Sequence, residues 1–111
     1  MRITKSKITA ASWSPQEIQR KLIRVANSSN VWAYAYNISA GKDIGTMYIQ
    51  FKGKNGGPGD LYQYYDVPIK VYRKWITAPS KGHFFWANIR DVYLYRKLTG
   101  DKRGKLQNAT W

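Results

Sequence analysis

The side chains best placed to do chemistry in this chain are cations and aromatic rings interleaved from Tyr48 onward. Lys52 and Lys54, Arg73 and Lys74, Arg90, Arg96 and Lys97, and Lys102 and Arg103 share this stretch with Tyr48, Tyr62 and Tyr64. Lysine and arginine neutralise phosphates, and exposed rings stack on unpaired bases, which is the usual chemistry of single-stranded nucleic-acid binding. The chain as a whole carries 19 Lys and Arg against 6 Asp and Glu, a formal charge of +13. A balance of this kind attracts polyanions, with nucleic acid the first class of partner and an acidic protein or anionic membrane surface the others.

Other chemistries are poorly supplied. Cysteine is absent, which excludes disulfides, thiolate catalysis and thiolate metal sites. His83 is the one histidine, and beside Gly82 at a helix start it reads as a surface or capping residue. The acids Asp43, Asp60, Asp66, Asp91 and Asp101 are scattered, without paired carboxylates or metal-ligand spacing. No enzyme, cofactor or metal is therefore expected. Residues 53–60 are rich in glycine and include Lys54, but they lack a Walker A pattern and a helix start behind them. An antiparallel connection is the better reading. No apolar run approaches a membrane span, and the first residues lack the apolar core of a signal peptide. The expectation is a cytoplasmic protein without membrane contact.

These groups must be positioned by a small number of elements, because 111 residues fit one domain. Ser14, Pro15 and Glu17 form a helix start with a capping box, and Trp13 and Ile18 stand at the positions of a hydrophobic staple. The helix is expected to run to about Ala26. Residues 31–36 alternate small with aromatic side chains, and residues 46–52 place Met47, Ile49 and Phe51 on one side with Tyr48, Gln50 and Lys52 on the other. Both have the period of a strand. A third strand, 61–67, stops at Pro68, which suits a first helical turn. Ile69, Tyr72, Trp75 and Ile76 then share one arc of a helix, with Lys70, Arg73 and Lys74 opposite. After a break at residues 79–82, Phe85, Ile89 and Val92 line up on another, flanked by Phe84 and Trp86.

In order and at fitting spacing, Ser28-Ser29-Asn30, Tyr36, Met47, Ile49, Phe51, Tyr62-Gln63-Tyr64, Asp66-Val67-Pro68, Tyr72, Ala78, Ser80, Gly82, Phe85, Ile89-Arg90 and Tyr93 resemble the KTSC domain. The likeness covers residues 28–95. That family takes its name from an occurrence at the C-terminus of some lysyl-tRNA synthetases, and it is also found alone in small bacterial and phage proteins. The chain departs from it at Trp86, where asparagine is more usual, and in the length of the 56–59 loop. The resemblance implies no settled activity, and its synthetase context implies RNA binding by analogy of fold.

The expected architecture is α+β. It has an N-terminal helix, a three-stranded antiparallel meander, two C-terminal helices packed on one face of the sheet, and a basic tail. Residues 1–111 form a single domain, with 28–95 the KTSC-like module and 1–12 and 99–111 loosely ordered basic arms. If Met47, Ile49 and Phe51 face the helices, Tyr48 and Lys52 lie on the other face, with Tyr62 and Tyr64 beside them in one register. That face would be an open stacking platform. The expected function is non-enzymatic binding of nucleic acid, single-stranded DNA or RNA ahead of duplex. The alternative is a phage-encoded module that binds an acidic host protein, for which basic residues with Tyr and Trp anchors serve equally well.

Overall fold

A computed structural model describes residues 13–26, 28–98 and 106–107. The first described element is helix α1 (Pro15–Lys21), which begins as its sequence dictates. The Glu17 amide donates to Ser14 Oγ at 3.2 Å, and the Ser14 amide donates to the Glu17 carboxylate at 2.9 Å. Those backbone and hydroxyl hydrogen bonds hold the Glu17 carboxyl below its ordinary pKa. The helix ends at Lys21 and not near Ala26, because Leu22 is already extended and the chain enters strand β1 (Ile23–Arg24). There Ile23 and Arg24 pair with Tyr34 and Ala33, and the Arg24 guanidinium lies 3.3 Å over the Trp32 ring.

The three strands expected from the alternation are present as β2 (Val31–Asn37), β3 (Ile44–Lys52) and β4 (Pro58–Pro68). The sheet is wider than the expected meander. Six antiparallel strands among the described residues follow sequence order, with β5 (Tyr95–Lys97) and β6 (Leu106–Gln107) added beyond β4. The basic arms expected at 1–12 and 99–111 lie outside the described residues, apart from the two that form β6.

Helices α2 (Ile69–Ile76) and α3 (Lys81–Asn88) connect β4 to β5 and cover one face. Pro68 precedes α2, and the first helical amide, that of Ile69, donates to the Asp43 carbonyl at 2.8 Å. Ser80 caps α3 by accepting from the His83 amide at 3.2 Å. Val31, Met47, Ile49, Val67, Trp75 and Ile89 are fully buried between these helices and the sheet. Each aliphatic member of such a set contributes about 1.5–3 kcal/mol by leaving water.

The sheet changes phase twice to build this core. Tyr62, Tyr64 and Val67 all face α2 and α3 although a strict period of two would send Val67 the other way. Asp66 resolves the conflict. It adopts a left-handed φ of 55° within an irregularity opposite Thr46, and aspartate is among the few residues that tolerate this region. A second shift, between Val31 and Ala33, does the same for Val31 against Tyr34 and Tyr36.

The opposite face is closed as well. Helix α1 lies on it, packing Ile18 with Ala35, Tyr48 and Leu61, and with Trp13, Leu22 and Leu98 around them. The Trp13 indole stacks on the Tyr48 ring at 5.3 Å and 10°. The open platform expected there is not present, because these apolar rings bury more surface against α1 than they would on a bare sheet.

Candidate nucleic-acid interface

Burial sorts the aromatic candidates first. Tyr48 is fully buried, and its hydroxyl accepts from the Trp13 amide at 2.9 Å and from Gln63 Nε2 at 3.1 Å. Tyr64 is buried against α3, edge-on to Phe85 at 5.4 Å and stacked on Tyr95 at 5.0 Å. Burial, then the neighbouring tyrosines, pushes the Tyr64 hydroxyl far above the ordinary tyrosine range. Both rings hold the fold and offer no face to a base, which corrects their assignment as stacking residues. Tyr62 differs. It is half-buried, and its pKa is raised by burial while the charges of Lys97 and Arg90 pull it back.

Tyr62 belongs to an open groove at the end of the sheet where β3 turns into β4. The groove consists of two adjoining clefts that share Phe51, Lys52 and Gly53. One, of about 490 Å³, continues to Lys54, Asp60 and Tyr62. The other, of about 390 Å³, continues to Asn30, Gly82 and Trp86. Lys97 stands at the first cleft, its ammonium 3.4 Å from Asp60. Arg90 lies over the Trp86 ring at 4.0 Å and within electrostatic reach of Tyr62. Four of the expected cations, Lys52, Lys54, Arg90 and Lys97, therefore gather with one expected ring, Tyr62.

Three more of the expected cations, Arg73, Lys74 and Arg96, lie elsewhere. Arg73 and Lys74 are exposed on α2, which leaves β4 at the end away from the groove. Arg96 reaches toward Tyr65 at 6.0 Å. Lys102 and Arg103 lie outside the described residues.

Groove residues outside the expected set include Asn30, Phe51 and Trp86. Trp86 had a signal in the sequence. Phe85 and Ile89 are four residues apart and buried, so Trp86 and Arg90 form the adjacent i, i+4 pair one step round the helix. Asn30 is placed by local bonding. Ser28 Oγ accepts from the Asn30 and Val31 amides, and the Asn30 carbonyl accepts from the Lys52 amide at 2.8 Å. This turn meets the start of α3 at Gly82, where a Cβ would stand 2.4 Å from the Asn30 side-chain Nδ2.

The acids near the groove are engaged with cations: Asp60 with Lys97, and Asp91 with Arg90 at 3.7 Å. Among the described residues no three His, Cys, Asp or Glu side chains gather to hold a metal ion, and no helix is long and apolar enough to cross a membrane.

The KTSC domain family model matches residues 27–93, a span that includes the turn at Asn30, the Tyr62–Tyr64 strand, the Asp66–Pro68 transition and the Ser80–Gly82 cap. The chain belongs to the KTSC domain family. A crystal structure of a KTSC domain protein from Yersinia pestis superposes on it with a TM-score of 0.56 at 30% identity, covering 71% of this chain and 97% of that one. No curated protein matches the chain. Helix α1 lies outside the matched segment, whereas the sheet residues it covers, Ala35, Tyr48 and Leu61, lie within it.

Proposed function

We propose that this protein is a non-enzymatic nucleic-acid-binding module that takes single-stranded DNA or RNA in the groove at the β3–β4 end of the sheet. The carrying observation is the gathering of Lys52, Lys54, Arg90 and Lys97 around the partly open rings of Tyr62 and Trp86. The cations neutralise phosphates, which supplies most of the affinity. An open ring can stack only on a base that is not already stacked in a duplex, so single strands are favoured. Such a protein acts in the cytoplasm, where it meets single-stranded nucleic acid.

The test is anisotropy with labelled single strands of DNA and of RNA, against a duplex of the same sequence. Tighter binding of a single strand is expected. Equal or tighter duplex binding contradicts the strand preference, and no binding to any of the three removes the reading. Capture of an acidic protein that survives nuclease treatment, with no strand binding, favours an interaction module directed at an acidic host protein.

A further inference from the structure

Trp86 is 61% exposed, whereas Trp75 in the neighbouring helix is fully buried. Phe85 and Ile89 turn into the core, whereas Trp86 beside Phe85 stays exposed. The Arg90 guanidinium stands 4.0 Å over the ring. A flat ring covered on one face and still this exposed presents its other face and its edge to solvent. The indole also walls the cleft of about 390 Å³, a volume within the range of small-ligand sites, together with Asn30, Lys52 and Gly53. Gly82 lets the Asn30 amide lie close against the start of α3. The cleft thus combines an aromatic plane backed by a cation, an amide that both donates and accepts, and a lysine.

We propose that this cleft seats one unpaired nucleotide: the base stacks on Trp86, the base edge faces the Asn30 amide, and the phosphate meets Lys52. The assignment rests on the nucleic-acid reading above and adds the residue that contacts the base. Stacking on Trp86 depends on the base, whereas the contact with Lys52 depends only on the backbone.

Two probes separate these contributions: an oligothymidylate of about twelve nucleotides, and an abasic strand of the same length with the same phosphates. Trp86→Ala is expected to weaken oligothymidylate binding roughly 5- to 100-fold and to leave abasic binding unchanged. Trp86→Phe, which keeps a ring, should recover most of the loss, and Lys52→Gln should weaken both probes. Thermal unfolding of Trp86→Ala should coincide with that of the unmodified protein, because the lost side chain is mostly exposed. If the unmodified protein binds oligothymidylate and Trp86→Ala binds it equally well, the seat is wrong while the nucleic-acid reading stands. If the unmodified protein binds neither probe, both fall. Polyglutamate that displaces the oligonucleotide and itself needs Trp86 points to a protein ligand and overturns the base seat.

Discussion

Replacing Trp13 by alanine tests whether α1 is a fixed part of the domain, closing the second face of the sheet. The indole is half-buried, stacks on Tyr48 at 5.3 Å, and has the Lys21 ammonium 5.4 Å from its centroid. Complete burial of a tryptophan is worth about 3–5 kcal/mol on truncation, so a half-buried one loses about 1.5–2.5 kcal/mol. The ring pair adds about 0.5–1.5 kcal/mol. A net loss of about 2–4 kcal/mol is therefore expected from Trp13→Ala in urea denaturation, read as a lower midpoint at unchanged slope. The backbone bond from Trp13 to the Tyr48 hydroxyl survives the substitution and keeps the loss from being larger. Amide exchange should quicken first in α1 and in the β3 residues around Tyr48. A loss below about 0.5 kcal/mol, the range of unremarkable surface changes, would refute the packing. Single-strand affinity should not change. Tighter binding by the variant would mean that Tyr48 and its neighbours form a ligand surface that α1 conceals.

The remaining expectations concern the hairpin, the buried tyrosines and the division of charge. Gly59→Ala sets a Cβ 2.8–2.9 Å from the Gly53 amide nitrogen, the Gly53 Cα and the Phe51 carbonyl oxygen, all backbone atoms. It should cost about 1–3 kcal/mol in thermal or urea unfolding, whereas Gly57→Ala, facing only the Asn55 side chain, should stay within about 0.5 kcal/mol. Burial, then the neighbouring Tyr72, pushes the Tyr36 hydroxyl from 10.0 to about 12, and it donates to the Val67 carbonyl. A folded-state pKa raised in this way gives stability that is intact below pH 10 and is lost as pH rises through about 12. Ultraviolet titration should show this tyrosine ionising together with alkaline unfolding, and ionisation near pH 10 with the fold intact would contradict it. Lys52→Gln with Lys54→Gln should flatten the salt slope of strand binding by about 1.4, while Arg73→Gln with Lys74→Gln, outside the groove, should change it little.

Local signals in the sequence were reliable where local chemistry decided the outcome. The capping box at Ser14 and Glu17 and the stop at Pro68 each needed only neighbouring residues, and each formed. Residues 22–26 went wrong because a helical apolar spacing lost to tertiary pairing. Arg24 stacks on Trp32 and the Val25 amide donates to the Trp32 carbonyl, contacts that only the folded β2 makes available. The phase change at Asp66 was equally hidden, since nothing in Tyr64-Tyr65-Asp66-Val67 announces a left-handed residue within a strand. The site suffered from the same limit. Alternation correctly put Tyr48 opposite Met47 and Ile49, but whether that face was open depended on where α1 came to rest. Charge patterning named four of the groove cations and also Arg73, Lys74 and Arg96, because a run of basic residues does not state which way each one points. Trp86 was visible in the spacing of Phe85 and Ile89, yet its exposure emerges only once those two are seen to fill the core.

The central claim is that a cationic groove of defined size captures single-stranded nucleic acid, and the salt dependence of binding tests it most directly. Lys52, Lys54, Arg90 and Lys97 at about 0.7 each give a limiting slope of log affinity against log salt near −2.8. The ion pairs of Lys97 with Asp60 and of Arg90 with Asp91 draw the expected value into a range of about −2 to −3. A slope in that range, for a single strand bound more tightly than duplex, is the predicted result. A slope near zero, or no measurable binding at low salt, would contradict the account.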